Sequence, residues 1–293
     1  MKIKKTPIDI FADTCIYAIV GILALACIIP FIHVAAKSLS NDAAIYANKV
    51  FIIPKGLNIQ AYKTVIGDSS MMTSLWFTVF LTIAFTLWGM ITTIFAAFVL
   101  TKSRLKGRAF FATMFLITMY FGAGIIPDYL NMDMLGLLDT IWVLIIPLAF
   151  SAYNMIILRT FMQSSIPDSL IEAAELDGCD DFRTLFRIVL PLSKPVLATL
   201  ALFYAVGRWN SFTDALYYIQ NTNLYPLQLK LYNLVNASGE TSALAQEGGG
   251  AQQQAAEVVK SATIMFATIP IIIVYPFVQK YFVTGVMVGA VKG

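Results

Sequence analysis

Four carboxylates lie close together in a polar stretch between two long apolar runs: Asp168, Glu172, Glu175 and Asp177. Carboxylates can act as a general acid and base or bind a metal, but an enzyme site here would need a nucleophile with its base, or a cluster of metal ligands. The sequence has a single His, and its three Cys lie far apart from one another. We therefore predict no catalytic residue, no metal site and no cofactor bound by this chain.

The same stretch predicts two short helices separated by a sharp bend. Asp168 lies where a helix N-cap is expected, and Glu172 follows in the first turns, where the helix dipole favours a carboxylate. Ala173 and Ala174 are small helix formers that let another surface come close. Gly178 permits the bend, and apolar residues then recur at helical spacing: Phe182, Leu185, Phe186 and Val189. The alternative is a solvated helix-turn-helix linker.

A second group of polar residues falls within apolar runs, where a charge costs about 2.5–3.5 kcal/mol to insert into a membrane. Five of these residues are candidates for lining a polar pathway: Tyr153, Asn154, Arg208, Trp209 and Asn210. The alternative is that Arg208 snorkels or caps a neighbouring helix, while Trp209 belongs to the aromatic belt. We do not expect Arg208 and Asp214 to form an ion pair within one helix, because residues six apart do not share a helix face.

Composition places these residues in an all-α, polytopic integral membrane protein. The chain has 293 residues, of which 58% are hydrophobic and 13% are charged, whereas a soluble domain has roughly 25% charged residues. Apolar runs long enough to cross a bilayer as helices predict six transmembrane spans. These are residues 14–36, 75–100, 109–127, 140–161, 196–219 and 261–281. We expect them to form one transmembrane domain over residues 1–293.

The distribution of cations predicts the orientation of these spans. Four cations lie within seven residues after the second span, at Lys102, Arg104, Lys106 and Arg108, which predicts a cytoplasmic loop. By alternation, both termini and the polar loop 168–195 are cytoplasmic, and residues 220–258 form an extracytoplasmic loop. Gly and Gln residues in 247–255 predict that this outer loop is flexible. The net charge of +3 gives no indication of nucleic-acid binding.

The polar loop resembles the EAA loop of the membrane subunits of bacterial ABC importers. The resemblance rests on Glu172-Ala-Ala, Asp177-Gly178, Phe186 and the segment Leu190-Pro191-Leu-Ser-Lys-Pro195. In that family the loop forms a coupling helix that docks into a groove on the ATP-binding subunit. The resemblance implies ATPase-coupling roles for Glu172, Ala173, Ala174, Asp177, Gly178, Phe186 and Pro191.

The chain as a whole resembles the MalG-type permease subunit of carbohydrate importers, which has the type I ABC importer fold. This resemblance adds Trp209-Asn210 and the terminal Gly-Ala-Val-Lys-Gly to the loop and the six predicted spans. Segments beginning at Pro226 and Tyr275 are similar to the LplC/YtcP-like branch, which is linked with complex and uronic-acid oligosaccharides. The resemblance implies that this chain forms half of an oligosaccharide translocation pathway in the bacterial inner membrane.

The same resemblance implies a set of partners. They are a second, homologous permease subunit, two ATP-binding subunits that use ATP and Mg, and an extracytoplasmic solute-binding protein that delivers the oligosaccharide. Membrane lipid surrounds the complex. By the same analogy, the loop 220–258 contacts the binding protein or its cargo, and the tail near Lys292 reaches the ATPase interface.

Other functional classes have less support in the sequence. An ion-coupled secondary sugar carrier is the main alternative, but it would normally place ionisable residues deep in several spans and would need no docking loop. No Gly-x-x-x-x-Gly-Lys-Ser/Thr phosphate loop occurs in the chain. ATP hydrolysis is therefore expected to be carried out by separate subunits, with this chain as a non-catalytic transport subunit.

Overall fold

The computed structural model describes residues 7–244 and 257–276, which form helices joined by turns and contain no β-strand. The helices are α1 (Pro7–Ser38), α2 (Asp42–Tyr46), α3 (Gln60–Gly67), α4 (Ser69–Val99), α5 (Arg108–Tyr120), α6 (Ile125–Met134), α7 (Ala152–Ser165), α8 (Asp168–Leu176), α9 (Asp181–Leu192), α10 (Lys194–Asn210), α11 (Thr213–Tyr218), α12 (Leu227–Leu244) and α13 (Glu257–Pro276). Residues Leu185–Val189 of α9 form a π-helical turn. A 3-10 helix at Ile141–Leu144 precedes α7.

The described residues fall into two compact units. The first unit holds residues 7–69, most of α12 and most of α13. A small core in this unit joins the end of α1 to α2, α3 and α13. The second unit holds residues 70–230, and its largest core joins the second half of α4 to α7, α9 and α10. A second core in this unit joins the first half of α4 to α6, the 3-10 helix and α11.

Three described helices are long and apolar enough to cross a membrane: α1, α4 and α13. They correspond to the predicted spans 14–36, 75–100 and 261–281, although residues 277–281 lie outside the described part of the chain. Two bent helix pairs bring the number of candidate crossings to as many as five. The all-α membrane class is confirmed, but the other predicted spans are not continuous helices.

The predicted third span, 109–127, is wrong as a single helix. α5 ends at Tyr120, and α6 begins at Ile125 at an angle of 117°. Gly124 has φ +94, a conformation that a side chain would resist. Pro127 then lies in the first turn of α6, where its missing N–H costs no helical hydrogen bond.

The predicted fourth span, 140–161, is also interrupted. The 3-10 helix ends at Leu144 and α7 begins at Ala152, with Pro147 in the intervening turns. Proline removes a backbone donor and blocks a continuous helix. Leu144 and Ala149 are completely buried, so much of this irregular backbone is enclosed by protein. Burial of this kind is what permits non-helical backbone at membrane depth.

The predicted fifth span, 196–219, breaks after Asn210. Ser211 has an extended backbone, and α11 restarts at Thr213. The predicted outer region 220–258 begins with ordered structure, because α12 occupies Leu227–Leu244. The Gly- and Gln-rich residues 247–255 and the tail with Lys292 lie outside the described residues.

Candidate functional site

The polar loop forms two short helices with a bend at Gly178, as its sequence predicts. Gly178 has φ +77, and its N–H donates to the Glu175 carbonyl at 3.1 Å. The next N–H, of Cys179, donates to the Ala174 carbonyl at 2.9 Å. These two bonds define a Schellman motif, which satisfies carbonyls at the end of α8. The N-cap prediction is wrong: Pro167 is the N-cap and Asp168 is the first helical residue, where its charge still favours the helix dipole.

The predicted coupling residues of α8 lie on different faces. Glu172 and Ala173 are exposed, whereas Ala174 is buried. Asp177 is the exposed C-cap of the helix. Leu176, between these polar residues, is 89% exposed. One edge of α8 therefore packs on the rest of the second unit. The tip of the helix presents Leu176, which the described residues leave uncovered.

α9 separates its apolar residues into two rows. Leu185 and Val189 are buried in the largest core, whereas Phe182 and Phe186 are 65% and 56% exposed. Pro191 is exposed in the last turn of the helix. The exposed aromatic row and Leu176 form what we call the apolar loop surface, defined by Leu176, Phe182 and Phe186.

Lys102 connects the two sides of the Gly178 bend. Its Nζ lies 3.5 Å from Glu175 Oε1 before the bend and 3.1 Å from Asp181 Oδ1 after it. The same ammonium lies 5.1 Å from the centroid of the Phe98 ring. Its side chain is only 15% exposed, and partial burial strengthens ion pairs relative to those in open solvent.

Asp181 is the acceptor for two cations of the basic loop 101–107, because Arg104 also forms an ion pair with it. Burial raises the pKa of the Asp181 carboxyl, but the hydrogen bonds and charges of Lys102 and Arg104 outweigh burial and lower it below the ordinary value of 3.8. Asp181 therefore stays ionised at neutral pH. The stabilisation from these pairs is present above the ordinary pKa and is lost as the pH falls through the lower folded value.

Two cavities flank Lys102 in the second unit. One, of about 600 Å³, lies between the basic loop and α8; the other, of about 490 Å³, lies between the basic loop and α9. Phe98, Lys102 and Arg104 line both cavities. Ion pairs therefore bridge the open spaces between the basic loop and the bend.

Arg208 and Asp214 form a buried ion pair between two helices, which the sequence did not predict because it indicated one continuous helix over 196–219. The break at Ser211 turns the chain back, which brings Asp214 within reach of the guanidinium. Arg208 Nη1 also donates to the Leu144 carbonyl at 3.3 Å, at the end of the 3-10 helix. The Arg208 guanidinium further lies 5.5 Å from the Phe85 ring centroid. These contacts match the structural alternative, in which Arg208 caps a neighbouring helix.

The other candidate pathway residues have mixed environments. Tyr153 is 56% exposed and Asn154 is buried at the start of α7. Trp209 is half-buried, and its Nε1 is enclosed without a hydrogen-bond partner among the described residues. Asn210 is exposed, and its Nδ2 donates to the Val206 carbonyl at 2.9 Å.

Tyr204 links the helices around this region, a role that its sequence context did not indicate. Its hydroxyl accepts a hydrogen bond from the Ser151 N–H at 3.2 Å and lies 2.6 Å from Thr93 Oγ1. Its ring meets Phe85 edge-on at 6.1 Å. The α4 backbone comes close to this tyrosine at Gly89, where a Cβ would lie 2.7 Å from the Ala149 carbonyl oxygen.

The chain is similar to curated transport proteins over almost its whole length. It is 39% identical to the polygalacturonan/rhamnogalacturonan transport system permease protein YtcP of Bacillus subtilis, over 96% of this chain and 98% of that protein. It is also 39% identical to the protein LplC of the same organism, over 96% of this chain and 95% of LplC.

Solved structures show the same fold. A bacterial ABC transporter involved in the import of the acidic polysaccharide alginate contains a chain that is 34% identical, with a TM-score of 0.85. The match covers 96% of this chain and all of that one. These similarities support a transport subunit and not an enzyme. The model of the family described as "binding-protein-dependent transport system inner membrane component" matches residues 4–288, so the chain belongs to this family of membrane permease subunits.

Proposed function

We propose that this chain is one of two permease subunits in an ATP-driven importer of uronic-acid-containing oligosaccharides. The proposal includes six membrane passes, with the interrupted segment 140–161 as one of them, and both termini in the cytoplasm. A separate solute-binding protein delivers the sugar, and separate subunits hydrolyse ATP with Mg. The family assignment disfavours the alternative of an ion-coupled secondary carrier.

The observation that carries the coupling role is the apolar loop surface. Leu176, Phe182 and Phe186 are 89%, 65% and 56% exposed on a loop that otherwise carries many charges. Large apolar side chains exposed among polar residues are typical of a protein interaction site. Because four cations favour a cytoplasmic position for the basic loop, to which this loop is ion-paired, the expected partner is a cytoplasmic ATPase.

In the proposed mechanism, this loop transmits movement of the ATPase subunits to the membrane helices. Closure of the two ATPase subunits displaces α8 and the Gly178 bend, and the spans rock as rigid bodies around the pathway. The exposed Glu172 and Ala173 contact the ATPase, whereas the buried Ala174 joins α8 to the membrane part of the chain. Asp177 and Gly178 keep the bend, and Phe186 and Pro191 form the surface of the second helix.

The substrate class is inferred from the relatives. YtcP belongs to a polygalacturonan/rhamnogalacturonan transport system, and the solved transporter imports the acidic polysaccharide alginate. Both names refer to acidic polysaccharides, which supports an acidic cargo here. Asp214 neutralises the charge of Arg208, so other residues of the complex must supply most of the attraction for a carboxylated sugar.

Transport by the purified complex in proteoliposomes tests the substrate and the energy source together. We expect ATP-dependent uptake of a galacturonic-acid trisaccharide when the binding protein is present, and much weaker uptake of a neutral galactose trisaccharide. Uptake driven by an ion gradient without ATP would identify a secondary carrier. Equal uptake of the neutral sugar would contradict the acidic substrate class.

A surface substitution tests the coupling role separately. Leu176→Glu places a charge at the tip of α8 and is expected to release the ATPase subunits during affinity purification of this chain. Leu135→Glu is a matched control, because Leu135 is 61% exposed and lies outside the loop 168–195. Equal ATPase retention by the two variants would contradict docking at the apolar loop surface.

A further inference from the structure

We propose that Lys102 is a positioning residue that fixes the Gly178 bend and carries ATPase movement into α4 and α5. The inference rests on the proposed coupling function. Its basis is that one ammonium group pairs with Glu175 before the bend and with Asp181 after it. Lys102 lies 73 residues from Glu175 in the sequence, so the contact joins distant segments of the chain.

The two ion pairs add a constraint on the angle between α8 and α9. The bend itself needs only the positive φ of Gly178 and two backbone hydrogen bonds. Lys102 adds a contact from outside the bend, because its ammonium attracts the end of α8 and the start of α9 at the same time. A movement of α8 relative to α9 must therefore stretch at least one of these pairs.

The cavities make the position of this lysine important. Lys102 lines both open spaces, of about 600 and 490 Å³, on either side of the bridge. Close packing transmits movement between helices because packed surfaces resist deformation, and where the two cavities open beside Lys102 its ion pairs supply a direct link between the basic loop and the bend. α8 also packs on the rest of the second unit through the buried Ala174 and the partly buried Ile171.

The basic loop connects Lys102 directly to two membrane helices. Lys102 follows the end of α4 at Val99, and its ammonium lies over Phe98 of that helix. The loop is held to the start of α5, because Arg108 Nη1 donates to the Thr101 carbonyl at 3.4 Å. A displacement of the bend therefore reaches α4 and α5 through a loop of few residues.

The test measures coupling in the reconstituted complex, as sugar transported per ATP hydrolysed. Lys102→Met is expected to lower this ratio about two- to thirtyfold, while the ATPase subunits stay bound and the melting temperature changes little. Lys102→Arg keeps the charge and is expected to restore most of the ratio. Lys106→Met removes a cation from the same loop and is the control, since Lys106 is exposed and forms no ion pair among the described residues.

A double-mutant cycle assigns the effect to the proposed pair. Asp181→Asn combined with Lys102→Met is expected to cost less than the sum of the two single changes, because both remove the same interaction. If Lys102→Met behaves like Lys106→Met while Leu176→Glu still releases the ATPase, the role of Lys102 is overturned and the coupling function stands. If Lys102→Met, Asp181→Asn and Leu176→Glu all leave coupling and ATPase binding unchanged, the coupling function fails as well.

Discussion

Arg208 and Asp214 join the two sides of a broken membrane segment. Arg208 Nη2 donates to Asp214 Oδ1 at 3.2 Å, and Nη1 pairs with Oδ2. Ser211, at the break itself, donates to Asp214 Oδ1 at 2.9 Å. The same guanidinium bonds the Leu144 carbonyl. The buried Arg208 guanidinium thus joins α10 to α11 across the break, and it also bonds a carbonyl at the end of the 3-10 helix.

Breaking this pair is expected to destabilise the subunit. Asp214→Ala leaves a buried guanidinium without its counter-ion, at a cost of about 3–5 kcal/mol, and is expected to lower the melting temperature of the purified complex in detergent. The double substitution Arg208→Met with Asp214→Leu should recover much of this loss, because neither charge is then left unpaired. Asn131→Ala, at an exposed residue of α6 with no assigned role, is the control. Normal stability with weakened sugar binding in Asp214→Ala would instead favour Arg208 as a pathway residue.

Gly178 is expected to be sensitive to backbone conformation and not to side-chain volume. A Cβ there would meet no heavy atom within 4 Å, but φ is +77. Gly178→Val should cost about 1–2 kcal/mol of local strain and lower the sugar transported per ATP. Gly178→Asn should retain most of the coupling, because Asn tolerates this conformation. Equal loss in both variants would show that a side chain itself is excluded, for example by the docked ATPase.

Local sequence patterns predicted several parts of the fold correctly. Long apolar runs gave α1, α4 and α13, because helix length and hydropathy are local properties. The bend at Gly178 also followed from local chemistry, since a helix end needs a residue that accepts positive φ. The exposed aromatic row of α9 could not be assigned in advance, because periodicity groups residues on a face without indicating which face is buried.

The errors concern residues that interact across breaks or over long distances. The high hydropathy of 109–127 and 140–161 predicts continuous spans, although Gly124 and Pro147 within them tend to interrupt a helix. The Arg208–Asp214 pair was rejected on the assumption of a continuous helix, which the break at Ser211 removes. The ion pairs of Lys102 depend on tertiary packing, and only the opposite charges of the two loops gave a signal for them.

Close packing at Gly89 predicts a steric effect within α4. A Cβ on Gly89 would lie 2.7 Å from the Ala149 carbonyl oxygen and 3.0 Å from Tyr204 Cε1. Gly89→Ala should therefore destabilise the complex by about 1–3 kcal/mol through overpacking, measured as a lower melting temperature. Gly207→Ala is the control, because a Cβ there meets no heavy atom within 4 Å. A neutral Gly89→Ala variant would mean that α4 can move away from Tyr204 at little cost.

Asp139 is expected to hold the start of the segment between α11 and α12. Its Oδ1 accepts hydrogen bonds from the N–H groups of Gln220 and Asn221 at 2.9 and 2.7 Å, while its own N–H donates to the Tyr218 carbonyl at 2.9 Å. Asp139 has φ +57. Asp139→Ala removes the acceptor and disfavours this backbone conformation, so hydrogen exchange at the Gln220 and Asn221 amides should become about tenfold faster or more. Asp139→Asn keeps a carbonyl acceptor and tolerates positive φ, so it should preserve most of the protection. Unchanged exchange in Asp139→Ala would mean that α11 alone fixes this segment, and faster exchange in both variants would show that the negative charge is required.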